Sequence, residues 1–282
     1  MNKLLFKILV VILGTNLMLA QENLNFKKSS PLIIGEKVIL YSEVLKEERT
    51  LNIYLPQSYS TDSIRKYPII YLLDGSMDED FIHISGLVQF GSFSWINMLP
   101  ESIVVGIANI DRKRDFTYPT NNSIDLKDFP TTGHSSEFIR FLGEELQPFI
   151  ESNYSTNSHE KTIIGQSLGG LLATEILFNR PELFDNYIII SPSLWWDDES
   201  LLKREFKDTF SGKNIYVGVG KEGPIMERTA KELYEKLKLN SNPMNTSFYK
   251  YFEAQSHGDA LHLAVYDAFN KIFNKADERI EN

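Results

Sequence analysis

Short apolar runs of strand length recur along the chain and alternate with stretches of helical periodicity. Two strand-like segments, residues 37–44 and 50–55, come first and flank the charged segment 45–49, which predicts a β-hairpin. Buried-strand runs then follow at residues 67–73, 103–107, 162–165, 187–190, 215–219 and 248–252. Helical stretches such as residues 137–150 separate most of them. This order predicts an α/β fold with a doubly wound, mostly parallel sheet of about eight strands and helices on both faces.

The first twenty residues have the pattern of a signal peptide. Lys3 precedes an apolar run, residues 4–13, that only Lys7 interrupts. This predicts a signal peptide over residues 1–20, cleaved near Ala20 and followed by a single domain over residues 21–282. Because Met18 is larger than the residue usual before a cleavage site, an uncleaved, membrane-tethered form is the alternative. No later segment approaches the roughly 18 apolar residues of a transmembrane helix, so we expect no stable membrane insertion after signal removal.

The amino-acid composition limits the cellular compartments and the classes of binding partner that are expected. The chain has 282 residues, no cysteine and a formal net charge of −9. The lack of cysteine excludes a disulfide framework and a lipidated N-terminal cysteine, and together with the signal peptide it indicates an exported bacterial protein, periplasmic or secreted. The negative charge argues against nucleic acid and anionic membranes as partners, because basic surfaces bind both. The expected partner is a small molecule or a neutral polymer.

A Gly-x-Ser-x-Gly motif occupies residues 165–169, between a β-branched apolar run and a helical pattern. The serine of such a motif sits on a tight strand-to-helix turn, where only small residues fit two positions before and after it. A chance match is the alternative, since the chain contains 16 glycines. Because the motif and its context agree, the sequence predicts Ser167 as a nucleophile.

A serine nucleophile needs a histidine as general base, and the chain has five histidines. In α/β-hydrolases, which carry this motif, the order along the chain is serine, acid, histidine. That order excludes the histidines that precede the serine, namely His83, His134 and His159. His257 lies in a turn-like segment between a predicted strand and a predicted helix, whereas His262 falls within the helical periodicity. His257 is therefore predicted as the base.

The two late histidines also bear on metal binding. Asp259 lies between His257 and His262, but the chain has no His-Glu-x-x-His motif and no cysteine to complete a zinc site. We therefore predict no metal and no cofactor.

The acid of a catalytic triad is expected at the carboxyl end of the strand before the last one. Glu222 follows the predicted strand 215–219 and leaves room for one helix-plus-strand unit on each side. It is therefore the predicted acid. The competing carboxylates are Asp197, Asp198 and Glu227. A Ser-His dyad without a strong acid is a further alternative.

Acyl transfer also needs two donors for the oxyanion of the tetrahedral intermediate. The backbone N–H of Leu168, directly after the nucleophile, is the first. The loop at residues 73–76 is expected to supply the second through Gly75 or Ser76, because a glycine lets the backbone approach the substrate closely. An ordinary Asp-Gly turn is the alternative.

Four residues after predicted strands are candidates for substrate binding: Arg112, Arg114, Trp195 and Trp196. The two arginines offer positive charge to an anionic group, but ion pairs with Asp115 that only hold the loop are the preferred interpretation. Two adjacent tryptophans cannot both face one core, so we expect at least one to border the cleft.

Five motifs together resemble the Putative esterase (esterase D-like) family of α/β-hydrolases, over about residues 35–275. They are residues 72–75, 112–117, 165–170, 191–196 and 256–258. Within that family the chain looks most similar to the ferric-siderophore esterase branch. Gln166 replaces the commoner histidine before the nucleophile, and Tyr118 stands between Thr117 and Pro119, where relatives often run directly from Thr to Pro.

The resemblance implies an α/β-hydrolase fold and hydrolysis of carboxylic esters through an acyl-enzyme, with Ser167 as nucleophile, His257 as base and Glu222 as acid. The resemblance implies a small-molecule or glycan ester as substrate. It does not choose between siderophore esters and carbohydrate esters, because relatives also include feruloyl and acetyl-sugar esterases. An acyltransferase on the same fold and a noncatalytic binding protein are the alternatives, since a fold alone does not prove an activity.

Overall fold

The structure is a computed structural model that describes residues 29–61, 64–206, 210–239 and 242–274. The chain divides into two units, residues 1–33 and 34–282, and the fold is that of the second unit. The predicted signal peptide, residues 1–20, lies outside the described residues. Within the described ranges, no helix combines the length and the apolar composition that crossing a membrane requires.

Strands and helices alternate along most of the described chain. The strands are β1 (Gly35–Ser42), β2 (Glu47–Tyr54), β3 (Tyr67–Leu72), β4 (Ile103–Ile107), β5 (Thr156–Gln166), β6 (Asn186–Ile190), β7 (Asn214–Gly220) and β8 (Thr246–Phe252). The helices are α1 (Phe81–Gly91), α2 (Arg112–Phe116), α3 (Ser123–Asp128), α4 (Ser135–Phe141), α5 (Gln147–Asn153), α6 (Leu168–Asn179), α7 (Trp196–Lys203), α8 (Pro224–Leu239) and α9 (Ala260–Phe273). A π-helical turn, Leu142–Leu146, joins α4 to α5, and a 3₁₀ turn spans Pro181–Leu183.

The strands form one sheet in the order β1-β2-β4-β3-β5-β6-β7-β8. β2 pairs antiparallel with β1 and with β4, and all other neighbours pair parallel. These pairings confirm the predicted doubly wound, mostly parallel sheet and the predicted hairpin. The hairpin turn, however, lies at residues 43–46 rather than 45–49, where Lys46 takes a left-handed φ of 58°. Arg49 consequently belongs to β2, and its side chain is fully buried.

Helices cover both faces of the sheet. Neighbouring residues of a buried strand point to opposite faces, so Ile69 and Tyr71 of β3 pack into one apolar cluster and Ile70 and Leu72 into another. The first cluster includes residues of α4, α5, α6 and α8, and the second includes residues of α1 and α9. This arrangement confirms helices on both faces and leaves the strand ends free for a site.

The carboxyl ends of the parallel strands meet at one edge of the sheet. The loops that leave this edge contain Asp74 after β3, Arg112 after β4, Ser167 after β5, Glu222 after β7 and His257 after β8. In open α/β sheets, ligands bind outside this edge. The topology therefore collects residues from distant parts of the sequence into one candidate site.

Candidate active site

Ser167 stands between the last residue of β5 and the first residue of α6. Its φ of 59° and ψ of −119° are a conformation that costs a non-glycine residue about 1–3 kcal/mol. A Cβ on Gly165 would come within 2.3 Å of the Gly169 carbonyl oxygen, and one on Gly170 within 2.9 Å of the Ile190 oxygen. The glycines therefore permit the sharp turn that carries the serine at the sheet edge.

His257 and Glu222 are in direct contact. His257 Nδ1 lies 2.6 Å from Glu222 Oε2, and the two side chains are 47% and 1% exposed. Ser191 Oγ at 2.5 Å and the Gly220 N–H at 2.8 Å donate to the other carboxylate oxygen. Burial raises the pKa of the Glu222 carboxyl, but the hydrogen bonds from His257, Ser191 and Gly220 outweigh burial and hold the pKa below its ordinary value. Glu222 is therefore ionised at neutral pH and can orient the imidazole.

The competing acids are engaged elsewhere. Asp197 and Asp198 accept hydrogen bonds from the segment at residues 120–122. Glu227 accepts the backbone N–H of Glu222 at 3.0 Å and so holds the turn that carries this residue. Of the four carboxylates that the sequence singled out, Glu222 is the one that contacts the histidine.

Two serines after β6 hold these groups in place, and sequence reasoning did not assign them a role. Ser191, which is buried and has a φ of 45°, donates to Glu222. Ser193 Oγ lies 3.3 Å from Ser167 Oγ, and the Ser193 N–H donates to the Ser167 carbonyl at 3.0 Å. The sequence could have indicated both serines, because they directly follow the predicted strand at residues 187–190 and so lie at the sheet edge that carries Ser167.

Ser167 and His257 line one cavity of about 380 Å³. The other lining residues are Asp74, Glu79, Asp80, Arg112, Gln166 and Gly258. Among the described hydrogen bonds, Ser167 Oγ contacts Ser193 and does not contact His257. Catalytic hydrogen bonds are often long or poorly aligned before substrate binds, so the cavity that both side chains line is what relates Ser167 to His257 here.

Arg112 lies in the cavity wall and is bound from two sides. Its Nε and Nη2 donate to the two oxygens of Asp74 at 2.6 and 2.8 Å, and Nη2 also donates to the Gln166 carbonyl at 3.1 Å. Asn109 Nδ2 donates to the same carboxylate at 2.6 Å. A bidentate pair of this kind is strong and directional. Arg112 therefore ties the loop after β3 to the residue that precedes Ser167.

Arg114 points into a different network. Its Nε donates to Asp115 at 2.7 Å and its Nη2 to Glu47 at 2.5 Å, while the buried Arg49 donates to Asp115 at 2.7 Å. Arg114 does not line the cavity. Arg112 thus lies in the cavity wall and Arg114 does not. The ion pair of Arg114 with Asp115 is the loop-holding contact that we preferred from the sequence.

Neither tryptophan lines the cavity. Trp196 is fully buried and donates its Nε1–H to the Tyr118 carbonyl at 2.9 Å. Trp195 is half-buried, and its ring centroid lies 6.0 Å from that of Phe129. The structure does not bring these two residues to Ser167, and their role in substrate binding stays a prediction.

The oxyanion donors predicted from the sequence are backbone N–H groups, one from Leu168 and one from Gly75 or Ser76. Leu168 is the first residue of α6, where an N–H has no partner inside the helix. Of the two loop residues that the sequence left open, Gly75 donates its N–H to the Ile107 carbonyl at 3.0 Å, whereas no described backbone hydrogen bond uses the Ser76 N–H. Leu168 and Ser76 are therefore the better pair.

Position 75 requires a glycine for a reason other than the close approach to substrate that the sequence predicted. A Cβ at Gly75 would come within 2.4 Å of Gly106 Cα and of Ile107 N on β4. Close approach to β4, rather than to a substrate, thus requires a residue without a side chain here.

Gln166 links the nucleophile turn to the loop of the histidine. Its Nε2 donates to the His257 carbonyl at 2.6 Å, and the Lys221 N–H donates to the Gln255 carbonyl at 2.6 Å on the same loop. His262, in contrast, lies on α9 with its ring centroid 5.3 Å from that of His83. The side chain that replaces the commoner histidine therefore fastens the loop of the proposed base.

The described residues contain no group of three or more His, Cys, Asp or Glu side chains arranged to hold a metal ion. The expectation that the chain uses no metal and no cofactor stays a prediction.

Comparisons with known proteins agree with this geometry. The family model described as "Putative esterase" matches residues 42–276. The ferri-bacillibactin esterase BesA of Bacillus subtilis is 30% identical over 241 residues, which cover 78% of this chain and 83% of that protein. An IroE-like serine hydrolase from Shewanella oneidensis has a TM-score of 0.74 at 29% identity, covering 85% of this chain and 80% of that one. The BES protein from Bacillus cereus has a TM-score of 0.73 at 27% identity, covering 88% and 98%.

The family match spans most of the chain, and the sheet and the strand-to-helix turn around Ser167 are those of a hydrolase. The protein therefore belongs to the Putative esterase family of α/β-hydrolases and is a serine hydrolase that acts on carboxylic ester bonds.

Proposed function

We propose that the protein is an exported esterase that hydrolyses its substrate through an acyl-enzyme on Ser167, with His257 as general base and Glu222 as the acid. The 2.6 Å contact between His257 Nδ1 and Glu222 Oε2, beside a cavity that Ser167 and His257 share, carries this proposal. The buried, ionised carboxylate supports the Ser-His-acid arrangement over a Ser-His dyad.

In the acylation step, Ser167 Oγ attacks the ester carbonyl carbon while His257 takes the hydroxyl proton. Glu222 accepts the hydrogen bond of Nδ1–H, which leaves Nε2 for that proton and stabilises the imidazolium. The N–H groups of Leu168 and Ser76 donate to the oxyanion. The C–O bond to the alcohol then breaks, and the alcohol leaves with the proton held by His257.

In the deacylation step, water replaces the alcohol. His257 removes a proton from the water as the oxygen attacks the acyl carbon, and then returns that proton to Ser167 Oγ. The products are one carboxylic acid and one alcohol, and no cofactor enters the balance.

The substrate is proposed to be a small-molecule or glycan ester. A siderophore ester is one candidate, because the Bacillus subtilis relative is named as a ferri-bacillibactin esterase. A carbohydrate ester is the alternative, although neither Trp195 nor Trp196, the aromatic candidates for substrate binding, lines the cavity.

The triad is tested by hydrolysis of p-nitrophenyl acetate and butyrate. Ser167→Ala and His257→Ala are each expected to lower kcat by about 10⁶-fold and Glu222→Ala by about 10⁴-fold, because loss of the acid alone costs less than loss of the nucleophile or the base. His262→Ala is the matched histidine control and should retain full activity. Full activity in Ser167→Ala would contradict the proposal. An inactive wild type that a fluorophosphonate probe fails to label would contradict it too.

Export is tested separately on the full chain produced in a bacterial host with a C-terminal tag. We expect the protein in the periplasm or the medium, with Gln21 as its first residue. An intact N-terminus in the membrane fraction would instead support the tethered form.

A further inference from the structure

The charges around Ser167 are predominantly negative. Of the residues that line the cavity, Asp74, Glu79 and Asp80 carry carboxylates, and among these described lining residues Arg112 alone carries a permanent positive charge. The cavity is where the proposed ester must lie, because the nucleophile and the base open into it. The charge of its wall therefore acts on every substrate that reaches Ser167.

Arg112 does not provide a free positive charge to the cavity. Asp74 binds it through two hydrogen bonds of 2.6 and 2.8 Å, so the pair is close to neutral. Arg114, the other arginine that the sequence offered to an anionic substrate, is paired with Asp115 and Glu47 outside the lining.

Glu79 and Asp80 remain without a cation of their own. The described contact of the Glu79 carboxylate is with the neutral amide of Asn109 at 3.2 Å, and no hydrogen bond or ion pair is described for the Asp80 carboxylate. Burial raises the pKa of Asp80 to about 6, helped by the charges of Asp74 and Glu79 and opposed by Arg112. Burial is the main cause of this shift, and the two neighbouring carboxylates add to it.

We propose that Glu79 and Asp80 make this active site select esters by charge, favouring substrates with a cationic group near the scissile bond and rejecting those with an anionic group. The inference rests on the proposed esterase function and concerns the substrate class of the same cavity. Carboxylates lining a cleft with low-dielectric walls focus their field on a ligand charge inside it. Two such charges at a few ångströms' distance are expected to change kcat/KM by about tenfold.

The test compares ester pairs that differ in charge but little in shape. Butyrylcholine is paired with 3,3-dimethylbutyl butyrate, in which carbon replaces the ammonium nitrogen, and p-nitrophenyl hemisuccinate with p-nitrophenyl butyrate. In the wild type we expect kcat/KM to favour the cationic ester over its neutral partner, and the neutral ester over its anionic partner, each about tenfold. The rate with Ser167→Ala is subtracted as background.

Variants assign the selectivity to the two carboxylates. In Glu79→Gln/Asp80→Asn both ratios should approach one, whereas the control Asp78→Asn, an exposed aspartate of the same turn that does not line the cavity, should keep the wild-type ratios. Added salt should weaken the selectivity, because it screens exposed charges. Below about pH 6 protonation of Asp80 should weaken the selectivity too.

The outcomes separate the two proposals. If Ser167 hydrolyses the neutral esters but the ratios are near one, favour the anionic ester, or stay unchanged in the double variant, the charge inference is overturned and the esterase proposal stands. If no ester is hydrolysed, both fail.

Discussion

Donors from two loops and from the end of β7 hold the buried Glu222 carboxylate. His257 Nδ1 contacts one oxygen, and Ser191 Oγ and the Gly220 N–H donate to the other. Because burial by itself raises the pKa of a carboxyl group, these donors are what keep Glu222 ionised beside the histidine. We therefore propose that Ser191 is a positioning residue that acts on the reaction through Glu222.

Ser191→Ala is expected to lower kcat for p-nitrophenyl butyrate about tenfold and to leave KM unchanged, because a hydrogen bond to a charged group contributes about 1.5–3 kcal/mol. Loss of this donor also raises the pKa of Glu222 toward its ordinary value, so the loss of kcat should deepen as the pH falls. Both effects are read from kcat and KM measured between about pH 5 and about pH 8.

Ser191→Gly distinguishes the effect of losing the hydroxyl from the effect of the strained backbone. It removes the same donor but relieves the strained φ of 45°, so we expect the same loss of kcat with a Tm no lower than that of the wild type. Wild-type kcat in both variants would contradict the role of Ser191.

At the scale of elements, three strands hold the loop that presents the Ser76 N–H. The loop leaves β3, the Gly75 N–H donates to Ile107 on β4 at 3.0 Å, and Asn52 Nδ2 on β2 donates to the Gly75 carbonyl at 2.8 Å. The backbone of Gly75 therefore lies directly on β4, with no space for a side chain between them.

Gly75→Ala is expected to destabilise the protein by about 2 kcal/mol, because an added methyl group overpacks the contact with β4. It should also lower kcat, since the Ser76 N–H moves with the loop. Gly86→Ala on α1 is the matched control: a Cβ there meets nothing within 4 Å, and alanine should stabilise the helix by about 0.5–1 kcal/mol. Urea unfolding and kcat of both variants check this, and equal effects at the two glycines would contradict it.

At the scale of the whole molecule, one buried acid links the stability of the fold to pH. Glu175 on α6 is 5% exposed, and its Oε2 has no hydrogen-bond partner among the described groups. Burial raises its pKa to about 7, against the opposing charge of Arg204. Since the folded-state pKa lies above that of the unfolded chain, Glu175 costs stability as the pH rises from about 4.5 to about 7.

Glu175→Gln removes this cost and is expected to stabilise the protein at about pH 8 by about 3 kcal/mol, with little effect near pH 4.5. The free energy of unfolding in urea at both pH values measures the difference. Glu160→Gln, which changes an exposed glutamate on β5, should show no such pH-dependent gap. A stabilisation by Glu175→Gln that is the same at both pH values would rule out the titration of this residue as its cause.

Much of the fold followed from local sequence, because strand-length apolar runs and helical periodicity are local properties. Every apolar run singled out as a strand overlaps a strand, with ends that differ by at most a few residues, and Ser167 lies at the predicted strand-to-helix turn. The hairpin turn begins two residues earlier and ends three residues earlier than predicted, because the charged residues up to Arg49 have the composition of a turn. Its partner Asp115, which allows it to be buried in β2, lies 66 positions away.

The sequence by itself determined the order of strands and helices, the tight turn at Ser167 and the choice of His257 and Glu222 as candidates, since these depend on neighbouring residues and chain order. Only the tertiary structure decided that Arg112 and not Arg114 lies in the cavity, that Ser191 contacts Glu222 and Ser193 contacts Ser167, and that acidic side chains line the site. These facts depend on which loops meet at one sheet edge and on side-chain pairing between distant segments, and neither is encoded in a local pattern.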